Sequence, residues 1–226
     1  MFAKNTCASL FLLLMLVQMM YREQPRQQSS KEELLARLKN LKGDEYEGLR
    51  KQVSDTRTDD LIHIAGDKSS DWIPRLYSVH LLYDLHSSER RAIIDGMLRI
   101  VADVNTHEAL RVAAAKFLGE LRAIEATDTL IAHSLEFKHA SHSNFHYAGL
   151  YPCVSALIEI GRPASEAVLQ EMKRPLDERH REAFAEILLS VEGRNVGRFM
   201  LEQEIADAKR PEERENLLKS LEYFSP

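Results

Sequence analysis

At 226 residues and 44% apolar content, the chain is long enough for one substantial core or a short array of repeats. Its net charge is -5, and past the first twenty residues 29 basic side chains face 35 acidic ones, a balance that argues against a general nucleic-acid binder. Two cysteines, Cys7 and Cys153, exclude a disulfide framework, and the low aromatic, Gly and Pro content favours helices over sheets.

The chain opens with residues 1–20, where Lys4 precedes an apolar run from Ala8 to Met20 broken only by Gln18. This is the layout of a signal sequence. The exit, VQMMYREQ, contains no small-x-small cleavage pattern, and the run of 13 residues falls short of the stretch of about 20 that a bilayer span requires. The expectation is an export signal or an uncleaved anchor, giving a membrane-anchored or exported protein of the cell envelope or a secretory compartment. Cys7 lies before the run, not after it, which excludes a lipoprotein cysteine. Residues 21–29 read as a polar tether.

Residues 30–66 read as N-terminal helices. Ser30 and Glu33 form a capping box, Leu34, Leu35, Leu38 and Leu41 make one stripe, and Gly43 is the stop signal. Asp44 to Ala65 leaves room for one or two more helices. From residue 67 to 226 the pattern is a series of helix pairs: Asp71–Leu85 with Ser88–Asp103, Thr106–Arg122 with Glu125–Phe137, Ser143–Gly161 with Pro163–Lys173, and Asp177–Gly193 with Arg194–Lys209. A last helix begins at Pro211, a residue suited to a first helical position. Aligning His86, Arg122, Gly161 and Glu192 at the turns gives spacings of 36, 39 and 31 residues. No helix of such a pair buries its apolar face alone, so stacked neighbours must supply a continuous core.

The stretches LRVAAAKFLGELRAIEATDTLIAHSL, residues 110–135, and ALIEIGRPASEAVLQEM, residues 156–172, carry a resemblance. They resemble HEAT-like repeats, over about residues 70–205, although Arg122 stands where many such repeats place Gly. The resemblance implies an all-α superhelix, a short solenoid that binds another macromolecule and has no active site. The second helix of each pair would line the binding face, which makes Arg90, Arg91, Arg99, Asp128, Glu171 and Arg198 candidate contacts. Trp72, with Tyr77 and Tyr83, and the pair Tyr147 and Tyr151 are candidate aromatic anchors for a protein partner.

The chemical candidate is KHASHSNFHY. His139, His142 and His146, with His133 upstream, could together supply a zinc or similar site. The spacing H-x5-H-x2-H-x3-H matches no tight ligand recipe, and no thiolate lies nearby. His107–Glu108 has the form of the paired ligands in di-iron enzymes that resemble deoxyhypusine hydroxylase, but two irons need several such pairs. Some bilin lyases also resemble this repeat, yet no residue here singles out their chemistry. There is no phosphate loop, no GxSxG and no HExxH. Adjacent carboxylates such as Asp59–Asp60 do not face each other on a helix. The sequence therefore points to a non-enzymatic scaffold or adaptor with a protein partner, a membrane contact through its N-terminus, no cofactor and no small-molecule substrate. The alternative is a metal-binding protein or enzyme built on the histidines at 133–146.

Overall fold

The computed structural model describes residues 31–42, 45–53, 58–85, 89–138 and 146–225. Every regular element among them is helical. In chain order these are α1 (Lys31–Lys39), α2 (Tyr46–Gln52), α3 (Thr58–Gly66), α4 (Trp72–Leu85), α5 (Arg90–Ala102), α6 (Glu108–Glu120), α7 (Thr127–Ala132), α8 (Tyr147–Leu150), α9 (Pro152–Ile160), α10 (Arg162–Glu171), α11 (Glu178–Glu192), α12 (Arg194–Asp207) and α13 (Pro211–Leu221). Short 3-10 turns at Ile124–Ala126 and Glu222–Phe224 complete the set. The chain separates into two units, residues 1–37 and 38–226. Within the first, α1 places Leu34 in a fully buried position, as its leucine stripe predicts. Ser30 and Gly43, the predicted start and stop, lie outside the described residues.

Within residues 38–226 the helices form two layers. Helices α4, α6, α9 and α11 lie side by side in one, and α3, α5, α7 and α10 form the other. Leu81, Leu82, Ile94, Met97, Leu110, Leu118, Leu157 and Leu188 fill the space between. This is the all-helical stack of pairs expected from the spacing. Helix α6 packs tightly on α9, and Gly119 makes this possible: a Cβ there would sit 2.7 Å from the Cα of Ala156.

The turns inside the last three pairs share a positive φ. Arg122 takes φ +49°, and Gly161 and Gly193 take +83° and +78°. The equivalent of Arg122 and Gly161 is thus Gly193, one residue beyond the Glu192 chosen from sequence. Arg122 takes its positive φ at a steric cost that Gly avoids, whereas Gly161 and Gly193 combine theirs with ψ −142° and 163°, a region open essentially to Gly alone.

Two predicted helices are shorter than expected. Glu125–Phe137 yields only α7, followed by irregular turns from His133. Ser143–Gly161 is broken into α8 and α9, because Pro152 cannot donate to a helix and pushes the preceding Tyr151 to extended backbone (φ −113°, ψ 108°). Glu186 of α11 satisfies the exposed start of α8, its carboxylate accepting from Tyr147 N–H at 2.8 Å and Ala148 N–H at 2.9 Å. His107 is the N-cap of α6, its Nδ1 accepting from Ala109 N–H at 3.2 Å.

Candidate functional site

The loops that lead into α4 and α6 are built to one plan, 36 residues apart. Asp67 accepts from Ser69 N–H at 3.0 Å and from the Ser70 hydroxyl at 2.9 Å. Asp103 accepts from Asn105 N–H at 3.1 Å and from the Thr106 hydroxyl at 3.0 Å. Each aspartate thus closes its own turn, the local chemistry for which Asp is favoured there. One helical turn into each helix, an arginine reaches back. Arg75 Nε donates to Ala65 O at 2.9 Å and Arg111 Nε donates to Val101 O at 2.9 Å. Those carbonyls end α3 and α5, where helix geometry leaves them without intrahelical partners. Sequence reading missed all four residues. The signal was present, since Asp67-x-Ser-Ser and Asp103-x-Asn-Thr fall in the same 36-residue register as the turns.

The two arginines end differently. Arg111, with its side chain 7% exposed, donates through Nη2 to Glu136 Oε2 at 2.7 Å and lies 4.3 Å from the centroid of the Phe137 ring. His133 joins them, its Nδ1 2.7 Å from the same carboxylate oxygen. Burial opposes ionisation of Glu136, but the hydrogen bonds and charges of Arg111 and His133 outweigh it and hold the carboxyl below its ordinary range. Arg75 is 6% exposed and, among the described residues, has no carboxylate within ion-pair distance. Desolvation weakens its charged form, while Asp103 and Asp67 support it from farther away.

Arg75 lines a groove of about 780 Å³ between α3 and α5. Ile62 and Ile100 give it apolar walls, and Asp59, His63 and Arg99 stand on its outer part. Lys68 and Asp103 cross its edge as an ion pair at 2.8 Å. That contact is the main reason the Asp103 carboxyl is lowered to about 2, with help from Asn105 N–H and the Thr106 hydroxyl. Beside the groove, Trp72 stacks on His107 with ring centroids 4.1 Å apart and planes within 6°. Trp72 remains 37% exposed, and Ile73 and Val104 on the same two loop-to-helix junctions are more exposed still. A second groove, of about 670 Å³, lies between α7 and α10 and is lined by Asp128, Glu171 and Arg174.

The structure sorts the remaining sequence candidates. Arg99, Asp128 and Glu171 do line grooves between second helices. Arg90 is instead an internal cap, donating to Leu121 O at 2.9 Å at the end of α6. Arg91 and Arg198 pair along their own helices with Asp95 and Glu202. Tyr151 is buried, its hydroxyl taken by Arg179, so it presents almost no surface to a partner. Tyr147 stacks on it and donates to Glu182 at 2.5 Å. Burial and that bond push the Tyr147 hydroxyl up to about 12.

Of the four histidines, His133 serves Glu136, and His146 is exposed at the N-cap of α8. His139 and His142 lie outside the described residues. Among the described residues, no group of three or more His, Cys, Asp or Glu side chains could hold a metal ion. Cys153 is buried, and desolvation pushes its thiol up to about 12, which removes it as a nucleophile at neutral pH. No described helix is long and apolar enough to cross a membrane, and residues 1–20 lie outside the described residues.

No protein-family model matches the chain, and no curated protein sequence matches it. Among solved structures it is similar to the complex of CpcE and CpcF of phycocyanin lyase from Nostoc sp. PCC7120. The identity is 19%, the TM-score 0.44, and the match covers 88% of this chain and 78% of that one. That likeness assigns no role to any residue here.

Proposed function

We propose that the protein is a non-enzymatic helical scaffold or adaptor. Its partner is another protein, and the surface it offers is the face carrying Trp72, His107 and the groove between α3 and α5. The observation that carries this reading is the exposed Trp72–His107 stack next to Thr106, which lines a groove of mixed polarity. Trp is the residue most often found as a binding anchor, and here it is the single Trp of the chain, held by a ring beneath it instead of being buried in the core. Residues 1–20 are proposed as the signal or anchor that brings this surface to the cell envelope or a secretory compartment, and residues 21–29 as its tether.

A photo-crosslinking side chain at Ile73 tests the surface. It is expected to give a discrete adduct in cells, and Trp72→Ala is expected to reduce that adduct strongly. The control is the same probe at Phe199, an exposed apolar position on α12. Equal adducts from both positions, or an Ile73 adduct indifferent to Trp72→Ala, would contradict the reading. Fractionation of the chain with and without residues 1–20 tests the location.

A further inference from the structure

We propose that the groove between α3 and α5 is a carboxylate-binding site. Arg75 is its inner cation and Arg99 its outer one, and the ligand is an acidic side chain or a free C-terminus of the protein partner. This rests on the partner-binding reading above and gives it a chemistry.

The argument starts from the equivalence of Arg75 and Arg111. Both use Nε to close the end of the preceding helix at 2.9 Å, so their guanidinium planes are fixed by the same bond. What remains free in such a side chain is the pair of Nη groups, whose fork matches a carboxylate. At Arg111 the chain engages one arm of that fork itself, Nη2 donating to Glu136 at 2.7 Å. At Arg75 no described carboxylate does so, although the side chain is more than nine-tenths buried and lines an open groove. Its Nη groups are not among the buried atoms left without a partner, so they face the groove, where a carboxylate can make the contact that Glu136 makes one repeat later.

The neighbouring side chains narrow the ligand. Asp103 cannot turn inward without leaving Lys68, Asn105 N–H and the Thr106 hydroxyl. Asp67 is likewise held by Ser69 and Ser70. Arg99 forms no ion pair among the described residues and is exposed on the groove wall. Three aspartates line the groove as well, so a singly charged carboxylate is tolerated where a dianionic phosphate meets repulsion. Ile62 and Ile100 offer apolar contact to the methylene groups of a Glu side chain or the last residues of a peptide.

Calorimetric titration of the full chain in detergent micelles tests this with four probes: acetyl-tetraglutamate amide, its tetraglutamine counterpart, a neutral acetylated peptide with a free C-terminus, and inorganic phosphate. Saturable binding is expected for the first or the third, and which of the two binds identifies the carboxylate source. The glutamine amide and phosphate are expected not to bind. Arg75→Gln is expected to weaken binding at least five-fold. The surface change Arg99→Ala, which keeps the fold whatever happens to Arg75→Gln, is expected to weaken it two- to three-fold. Binding of phosphate alone, no binding of either carboxylate probe, or affinities unchanged in Arg99→Ala overturn the proposal. The Ile73 crosslink does not depend on the ligand's charge, so the partner-binding reading stands or falls separately.

Discussion

The first and second helix pairs share a register of 36 residues and differ where it matters. Position 75 and position 111 both hold an arginine bonded to the preceding helix, but only Arg111 is closed by a carboxylate of its own chain. Position 83 is an exposed Tyr, whereas position 119 is a Gly pressed against Ala156. The second pair is finished internally, by Glu136 on one side and α9 on the other. In the first pair Arg75 has no carboxylate of its own chain at ion-pair distance among the described residues, and Tyr83 is 39% exposed. Repetition sets the scaffold, and departures from it mark where the stack ends its internal contacts and exposes surface.

The largest test of that contrast is Gly119→Ala. A Cβ 2.7 Å from backbone forces α6 and α9 apart, at a cost of about 3 kcal/mol. For a chain of this size that lowers the melting temperature by roughly 6–12 °C. At the equivalent place Tyr83→Ala is expected to lower the melting temperature by less than Gly119→Ala, since it gives up an edge contact with Phe117 and a hydroxyl bond to Glu120 at an exposed position. Arg111→Ala comes next, at about 2–3 kcal/mol, because it strands Val101 O and Glu136 and removes a cation from Phe137. Arg75→Ala, which strands Ala65 O alone, is expected to cost about 1 kcal/mol in a urea melt. Equal costs for the two arginines would erase the distinction between a closed and an open pair.

The strut between the two loops gives a pH test. Asp103 has a folded pKa of about 2, below its ordinary 3.8, chiefly through Lys68. Its stabilisation is therefore complete above about pH 4 and is lost as pH falls toward 2. Lys68 is largely exposed, so solvent screening limits the gap between wild type and Lys68→Met at pH 7 to about 1 kcal/mol. That gap is expected to close by pH 2 in denaturation curves taken across the range, and a gap that persists would mean the ion pair contributes nothing. A smaller effect is expected at the turns: Arg122→Gly relieves a left-handed backbone and should raise the melting temperature slightly.

The helix pairs were legible in the sequence because apolar periodicity and turn residues report burial directly. Their ends were less so. Pro152 carried a clear break signal, but the apolar run around it, YPCVSALIEI, reads as one buried helix unless the residue before proline is weighed. Of the residues singled out from sequence, Arg99 lines the groove and Trp72 stacks on His107. The internal contacts of Arg90 and Tyr151 were not legible because sequence gives residue type and helical face, but not the carbonyl or neighbouring helix that a side chain reaches 28 to 31 residues away. Arg75 was missed for a related reason. A lone arginine in an apolar helix looks solvated until its distant acceptor, Ala65 O, is known.

The most direct test of the central contrast is NMR of the two arginine Nε–H groups, each held by a 2.9 Å bond, while acetyl-tetraglutamate amide or the neutral peptide with a free C-terminus is added. The Arg75 resonance, assigned by its loss in Arg75→Lys, is predicted to shift and saturate with one of these probes while that of Arg111 stays in place. Shifts at Arg111 equal to those at Arg75, or none at Arg75 with either probe, would contradict the account.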